Sequence, residues 1–178
     1  GRCVDTSMSF TALDGVPMGT RCGQIDPGVL LHLMQAEAMD IEALTRLLYH
    51  ESGLKGLSGV SQDVREIETA GTPEAKGALA HFAYRVRREI AALAAAMGGI
   101  DALVFTAGIG ENARSLRGQI CDGLGFLGIA IDAERNRTNA PEITAPGAAT
   151  RVLIRRTDEE RMIARHALAL LADAAVAS

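Results

Sequence analysis

The sequence predicts an α/β domain, with helices layered on buried strands. Apolar residues recur every three or four positions through long stretches, above all from Leu79 to Met97, and that is helical spacing. Between such stretches lie apolar runs of strand length: Ala102 to Phe105, Ile129 to Ile131 and Val152 to Ile154. The amino-acid supply agrees. The chain is 48% hydrophobic but has four Phe, two Tyr and no Trp, so its core must be aliphatic. Alanine and leucine dominate, and both favour helices. The strand count is low for a whole sheet, so the first strands of the sheet are expected to be missing.

Residues 1–26 carry two turn signals, Leu13-Asp14-Gly15 and Gly23 to Pro27. A short strand and then an irregular loop are expected there. The chain opens on Gly1-Arg2-Cys3, without Met, at what reads as the end of a strand, so either a piece of a longer protein or a processed chain is expected. Pro27 suits a first helical position and Asp26 its cap. That helix is expected to bury Val29, Leu30, Leu33 and Met34. A second helix follows from Ile41 to His50, with Ile41, Leu44, Leu47 and Leu48 on one face. Gly53 to Gly59 reads as a glycine-punctuated loop, and Val60 to Glu68 as the start of another short helix. Thr72-Pro73-Glu74 gives a cap, a proline and a first-turn acid, and Gly98-Gly99 gives a stop, so a helix runs to Met97. Asn112 to Cys121 reads as a helix ending near Gly123. The last helix is expected from Asp158 to Ala172, with the final alanine-rich residues fraying.

The formal net charge is −4, with no basic block. Bulk electrostatics therefore give no case for nucleic acid or an anionic membrane, and the sparse aromatics argue against base stacking. Cys3, Cys22 and Cys121 lie far apart with no CxxC pair, so free thiols in a reducing cytoplasm are expected. No apolar run approaches membrane-spanning length, and no signal peptide is visible.

Four segments carry the chemistry. Leu103 to Asn112 (LVFTAGIGEN) is an apolar run, a Gly-x-Gly turn, an acid and an amide ahead of a helix. Glycine lets backbone approach a ligand closely, and a helix start beyond it offers N–H groups and a positive dipole end to a phosphate or nucleotide. The alternative is a tight strand-to-helix turn. Arg21 lies between Gly19 and Gly23. Small neighbours leave its planar fork open to phosphate oxygens, unless it pairs with Asp26. Asp63 and Arg65 have opposite charge on a helix first turn, where capping and an ion pair are the ordinary use. Thr157 and Glu160 have capping-box spacing, which leaves Glu159 over. That carboxylate is either a magnesium ligand or a solvated first-turn acid. The four histidines, His32, His50, His81 and His166, have no metal-ligand spacing. Neither GxSxG nor GxxxxGK[ST] is present.

Taken in order, the strings DTSMSF, PMGTRCGQIDPGVL, SGVSQDVREIE, LVFTAGIGENA, DGLGFLGIAID and TDEERMIARHAL resemble the C-terminal half of acetate kinases. The resemblance spans nearly the whole chain. It implies a ribonuclease-H-like (actin-like ATPase) fold, a mixed sheet flanked by helices. It also implies that residues 1–178 are a single, partial C-terminal nucleotide-binding domain of a two-domain kinase. By the same resemblance Arg21 matches the arginine proposed to stabilise the transition state. Asp63, Val64 and Arg65 match a segment lining the adenosine pocket. Gly108, Ile109, Gly110, Glu111 and Asn112 match the glycine-rich loop on the nucleotide, and Glu159 matches the magnesium ligand. The implied reaction is reversible phosphoryl transfer from ATP to acetate with Mg²⁺ (or Mn²⁺), or to propionate or butyrate in a relative. A homodimer through the C-terminal domain is implied as well. A non-catalytic nucleotide-binding or dimerisation module is the other reading. The chain departs from the family at Ser9 (usually Gly), Cys22 (usually Ser) and Val64 (usually aromatic), and the last is expected to weaken contact with adenine. The family's His-Leu-Gly-Asn-Gly motif, catalytic aspartate, active-site histidine and substrate arginine are not in these residues, so no turnover is expected from the chain alone.

Overall fold

The computed structural model describes residues 2–176. Gly1 and the last two residues, on which the opening-strand and fraying expectations partly fall, lie outside the described residues. The spine is α5, Pro73–Met97, bounded by local signals alone: the Thr72 side chain accepts from the Ala75 amide, Pro73 leads, and Gly98 ends it at φ +75°. Its inner face carries Ala75, Ala78, Leu79, Phe82, Ala83 and Ala94, all buried. Three short helices pack on it: α3 (Gly53–Ser58), α4 (Val64–Ala70) and α7 (Arg114–Cys121). Leu54, Ile67, Leu116, Leu124, Ile143 and Val152 are sealed from solvent between these layers.

Two strands supply the sheet. β1 (Ala102–Phe105) pairs in parallel with β2 (Arg151–Ile154), in the register Ala102 to Arg151 and Phe105 to Ile154. Among the described residues antiparallel pairing exists only as isolated bridges, Ile131 to Thr144 and Glu142 to Leu153. Ile129 to Ile131 is therefore not a strand of its own but touches its neighbours at single bridges, Ile129 to Thr150 and Ile131 to Thr144. β1 is also less buried than its composition suggests. Phe105 faces the core, while Val104 is exposed on the other face.

Several local expectations change. Residues 2–26 form turns rather than a strand. α1 (Pro27–Gln35) has the expected cap, the Asp26 carboxylate accepting from the Gly28 amide at 2.7 Å, yet buries none of its residues. Val29 and Met34 are exposed, while Leu30 and Leu33 are half-buried. α2 (Ile41–Arg46) runs into a wider π turn, Leu47–Glu51, and buries Leu44 while Ile41 stays exposed. Gly53 to Ser58 is helix α3, not loop. Gly53 enters it at φ +59°, Leu54 is wholly buried, and Gly59 closes it at φ +65°. α4 begins at Val64, because the Asp63 side chain caps it there by accepting from the Arg65 amide.

The segment read as one helix from Asn112 to Cys121 is two. α6 (Ala107–Asn112) starts straight after β1, and α7 follows with a break at Ala113. After the short α8 (Ala133–Arg137) and β2, the last helix α9 spans Glu159–Val176. Its cap is Asp158, whose carboxylate accepts from the Arg161 amide at 3.0 Å. The expected Thr157–Glu160 capping box does not form, because Thr157 is held elsewhere.

Candidate functional site

The site lies where α4 and α6 begin. A groove of about 680 Å³ there is lined by Gly19, Gln62, Asp63, Val64, Arg65, Gly108, Ile109, Asn112 and Arg114. Two segments more than 40 residues apart in sequence thus border one groove, which neither Arg21 nor Gly110 lines. The volume is in the range of a small-molecule site. A more open depression of about 530 Å³ adjoins it along Asp63, Arg65, Glu66 and Thr69.

Asp63 does two things on this wall. Its Oδ1 accepts from the Arg65 amide at 2.9 Å, which fixes the start of α4. The Arg65 guanidinium also folds back on it, at 3.1 Å and 2.5 Å. That ion pair, first through the side-chain hydrogen bonds and then the backbone one, holds the Asp63 carboxyl down to about 2. The ordinary use of these residues is realised, and the pair still borders the groove. Arg65 keeps most of its surface exposed. Val64 is only 6% exposed and belongs largely to the core. It offers a ligand little more than an aliphatic floor.

The opposite wall is the turn after β1. Ala107 takes φ +59°, an unusual value for a residue with a side chain, and so swings the backbone from strand into α6 within two residues. Gly110 is the close approach. A Cβ there would stand 3.2 Å from the Phe105 carbonyl carbon and 3.4 Å from the Phe105 Cβ. The Asn112 side-chain Nδ2 donates to the Gly108 carbonyl at 2.9 Å and closes the turn. Gly108, Ile109 and Asn112 line the groove, whereas Gly110 borders a smaller apolar cavity beneath α6. Glu111 turns away as well. Its Oε1 accepts from the Thr157 amide at 3.2 Å, tying α6 to the segment that leads into α9. Glu159 follows two residues later and is exposed.

Arg21 does not line the groove, but Gly19, two residues before it, does. The guanidinium lies 5.9 Å from the centre of the Tyr49 ring and forms no ion pair with Asp26, which is occupied as the cap of α1. Among the described residues Arg21 has no acidic partner.

The sequence model of the acetokinase family matches residues 1–165. The chain belongs to the acetokinase family. It is 54% identical over 177 residues to an acetate kinase of Methylocella silvestris, covering 99% of this chain and 44% of that protein. It is 48% identical to a propionate kinase of Citrobacter rodentium, over 100% of this chain and 45% of that protein. Among solved structures, the acetate kinase of Porphyromonas gingivalis superposes with a TM-score of 0.86 at 42% identity, covering 93% of this chain and 43% of the other. The chain therefore spans less than half the length of these acetokinase relatives.

One residue of the site escaped sequence reasoning. Arg117 is 1% exposed and donates to the carbonyls of Gly110 and Glu111. The signal was available: Ala113, Leu116, Ile120 and Cys121 form an apolar stripe at helical spacing, and a charged residue inside such a stripe must be partnered.

Proposed function

We propose that this chain is the nucleotide-binding half of an acetate kinase, which transfers a phosphoryl group reversibly between ATP and acetate. The observation that carries this reading is the groove in which Asp63, Val64 and Arg65 meet Gly108, Ile109 and Asn112. The adenosine lies against the α4 side and the phosphates reach toward the α6 turn and Gly19. Arg21, two residues on from Gly19, carries a guanidinium with no acidic partner among the described residues, and its fork fits phosphoryl oxygens. Phosphoryl transfer asks mainly for positioning and for charge to meet the moving group. Arg21 is the residue of this chain that supplies such charge. Gly110 and Glu111 act behind the ligand, by seating α6 on β1 and on the approach to α9.

Glu159 presents an exposed carboxylate between Asp158, which caps α9, and Glu160, and no cluster of three or more metal-ligating side chains exists among the described residues. That donor set fits magnesium, which takes one or two carboxylates beside substrate phosphates and keeps its waters. When bound, the ion neutralises phosphate charge, and Glu159 is the residue here that holds it.

In this proposal residues 1–178 form one partial C-terminal domain of ribonuclease-H-like fold, the enzyme is cytoplasmic, and it pairs as a homodimer. Among the described residues no helix is long and apolar enough to cross a membrane. The exposed Ile163, Leu168 and Leu171 of α9 support a partner surface. Propionate remains a second acceptor, because a propionate kinase stands among the relatives at 48% identity.

Calorimetric titration of the 178-residue chain with ADP and Mg²⁺ tests the reading. Saturable one-to-one binding that weakens without Mg²⁺ is expected, together with no acetyl phosphate from ATP and acetate. Absence of ADP binding at millimolar ligand would contradict the nucleotide site. Acetyl phosphate made by the isolated chain would contradict the division of labour.

A further inference from the structure

Arg117 is the largest side chain sealed from solvent among the described residues. A buried cation is ordinarily paired with a carboxylate, but no described acid pairs with this one. Every bond it makes goes to a neutral oxygen. Nε donates to Asn136 Oδ1 at 2.9 Å. Nη1 donates to the Gly110 carbonyl at 2.8 Å and the Glu111 carbonyl at 2.9 Å. Nη2 donates to the Asn136 carbonyl at 3.2 Å and to Asn139 Oδ1 at 2.5 Å.

The two α6 carbonyls explain the arrangement. A helix leaves its last carbonyls without internal partners, and a cation there meets the negative end of the dipole. α6 has six residues, far below the length at which a helix holds itself in water. Its C-terminal end is instead fixed by Arg117, and by Asn139, whose side-chain Nδ2 donates to the Glu111 carbonyl at 3.0 Å. Asn139 is itself held at φ +55°. The same six residues present Gly108, Ile109 and Asn112 to the groove. We propose that Arg117 is the positioning residue of the nucleotide turn: a guanidinium that never touches the ligand sets the shape of the segment that does. Its part in ligand affinity rests on the nucleotide reading above.

A lysine cannot take this place, because one ammonium lacks the planar fork that reaches five oxygens on two sides. Arg117→Lys and Asn139→Ala in the 178-residue chain, beside the wild type, supply the test. Mg²⁺-ADP affinity is measured by calorimetry, and amide hydrogen exchange is compared between residues 107–113 and α5. Arg117→Lys is expected to weaken ADP at least tenfold and to speed exchange in 107–113 at least tenfold, with α5 protection unchanged. Asn139→Ala moves both in the same direction by a few-fold. Wild-type ADP affinity in Arg117→Lys, or exchange that rises equally in α5, overturns the proposal. Should Arg117→Lys fail to fold, Asn139→Ala decides, and unchanged affinity there overturns it. If the wild type itself does not bind ADP, the nucleotide reading fails separately. The exchange comparison then decides whether Arg117 holds the turn.

Discussion

Ala107 holds a left-handed backbone angle, φ +59°, at the corner between β1 and α6. A Cβ in that region costs roughly 1–2 kcal/mol. Ala107→Gly is therefore expected to leave thermal stability unchanged or slightly raised, the relief offset in part by glycine's freedom when unfolded. Ala107→Val is expected to lower stability by about 2 kcal/mol, since a branched side chain tolerates that angle poorly. Denaturant melts of the two variants check the pair. Gly110 limits the same corner by space rather than by angle. Gly110→Ala would press its methyl against Phe105, 3.2 Å from the carbonyl carbon. It should destabilise by about 1–3 kcal/mol and weaken ADP binding by displacing α6. Arg21→Ala, in an intact enzyme containing this chain, should lower kcat far more than it raises KM for ATP. A transition-state arginine in related chemistry contributes roughly 10³–10⁵ in rate. Unchanged kcat would remove Arg21 from that role.

At the scale of elements, what could be read in advance depended on how local the signals were. α5 was legible to the residue because Thr72, Pro73 and Gly98 act within one turn of its ends. α3 was not, because its glycines read as punctuation. Gly53 sits at φ +59° with backbone of Met18 and Arg21 packed where a side chain would go, and only the fold reveals that contact. Gly53→Ala is accordingly expected to destabilise by more than about 2 kcal/mol and to loosen the Met18–Arg21 turn, read from thermal melts and from exchange at the Leu54 amide. That amide donates to the Met18 carbonyl at 2.8 Å. The groove's two walls were individually visible as motifs, but their meeting is tertiary and followed in sequence only from the family resemblance. Glu111 illustrates the limit. Its residue type suits a ligand contact, yet its carboxylate is spent on Thr157, 46 positions away. Arg117 is the converse: nothing near it in sequence reveals that Asn136 and Asn139 complete its bonding.

The whole molecule combines a well-sealed aliphatic core with long exposed apolar faces. Every residue of α9 from Glu159 to Leu171 is exposed, and Phe10 is 99% exposed. Such surfaces call for covering partners. Charge pairs hold the surface of the compact part. Arg151 pins Glu142, the Glu142 carboxyl being held down to about 2 by that side-chain hydrogen bond and then by Thr144. Asp63 is held equally low by Arg65. Both carboxyls bind fewer protons folded than unfolded between their ordinary values, 3.8 and 4.5, and about 2. Their stabilisation is present above that window and is lost as pH falls through it. Thermal unfolding should be insensitive to pH near neutrality and should decline below about pH 4.5. Glu142→Gln should flatten part of the decline.

The proposed bridging of the starts of α4 and α6 by one nucleotide is checked by an amide NMR titration of the chain with Mg²⁺-ADP. The largest shift changes are expected at residues 63–65 and 108–112, with smaller ones near Gly19 and Arg21. Changes concentrated away from both turns, with those two segments silent at saturation, would contradict it.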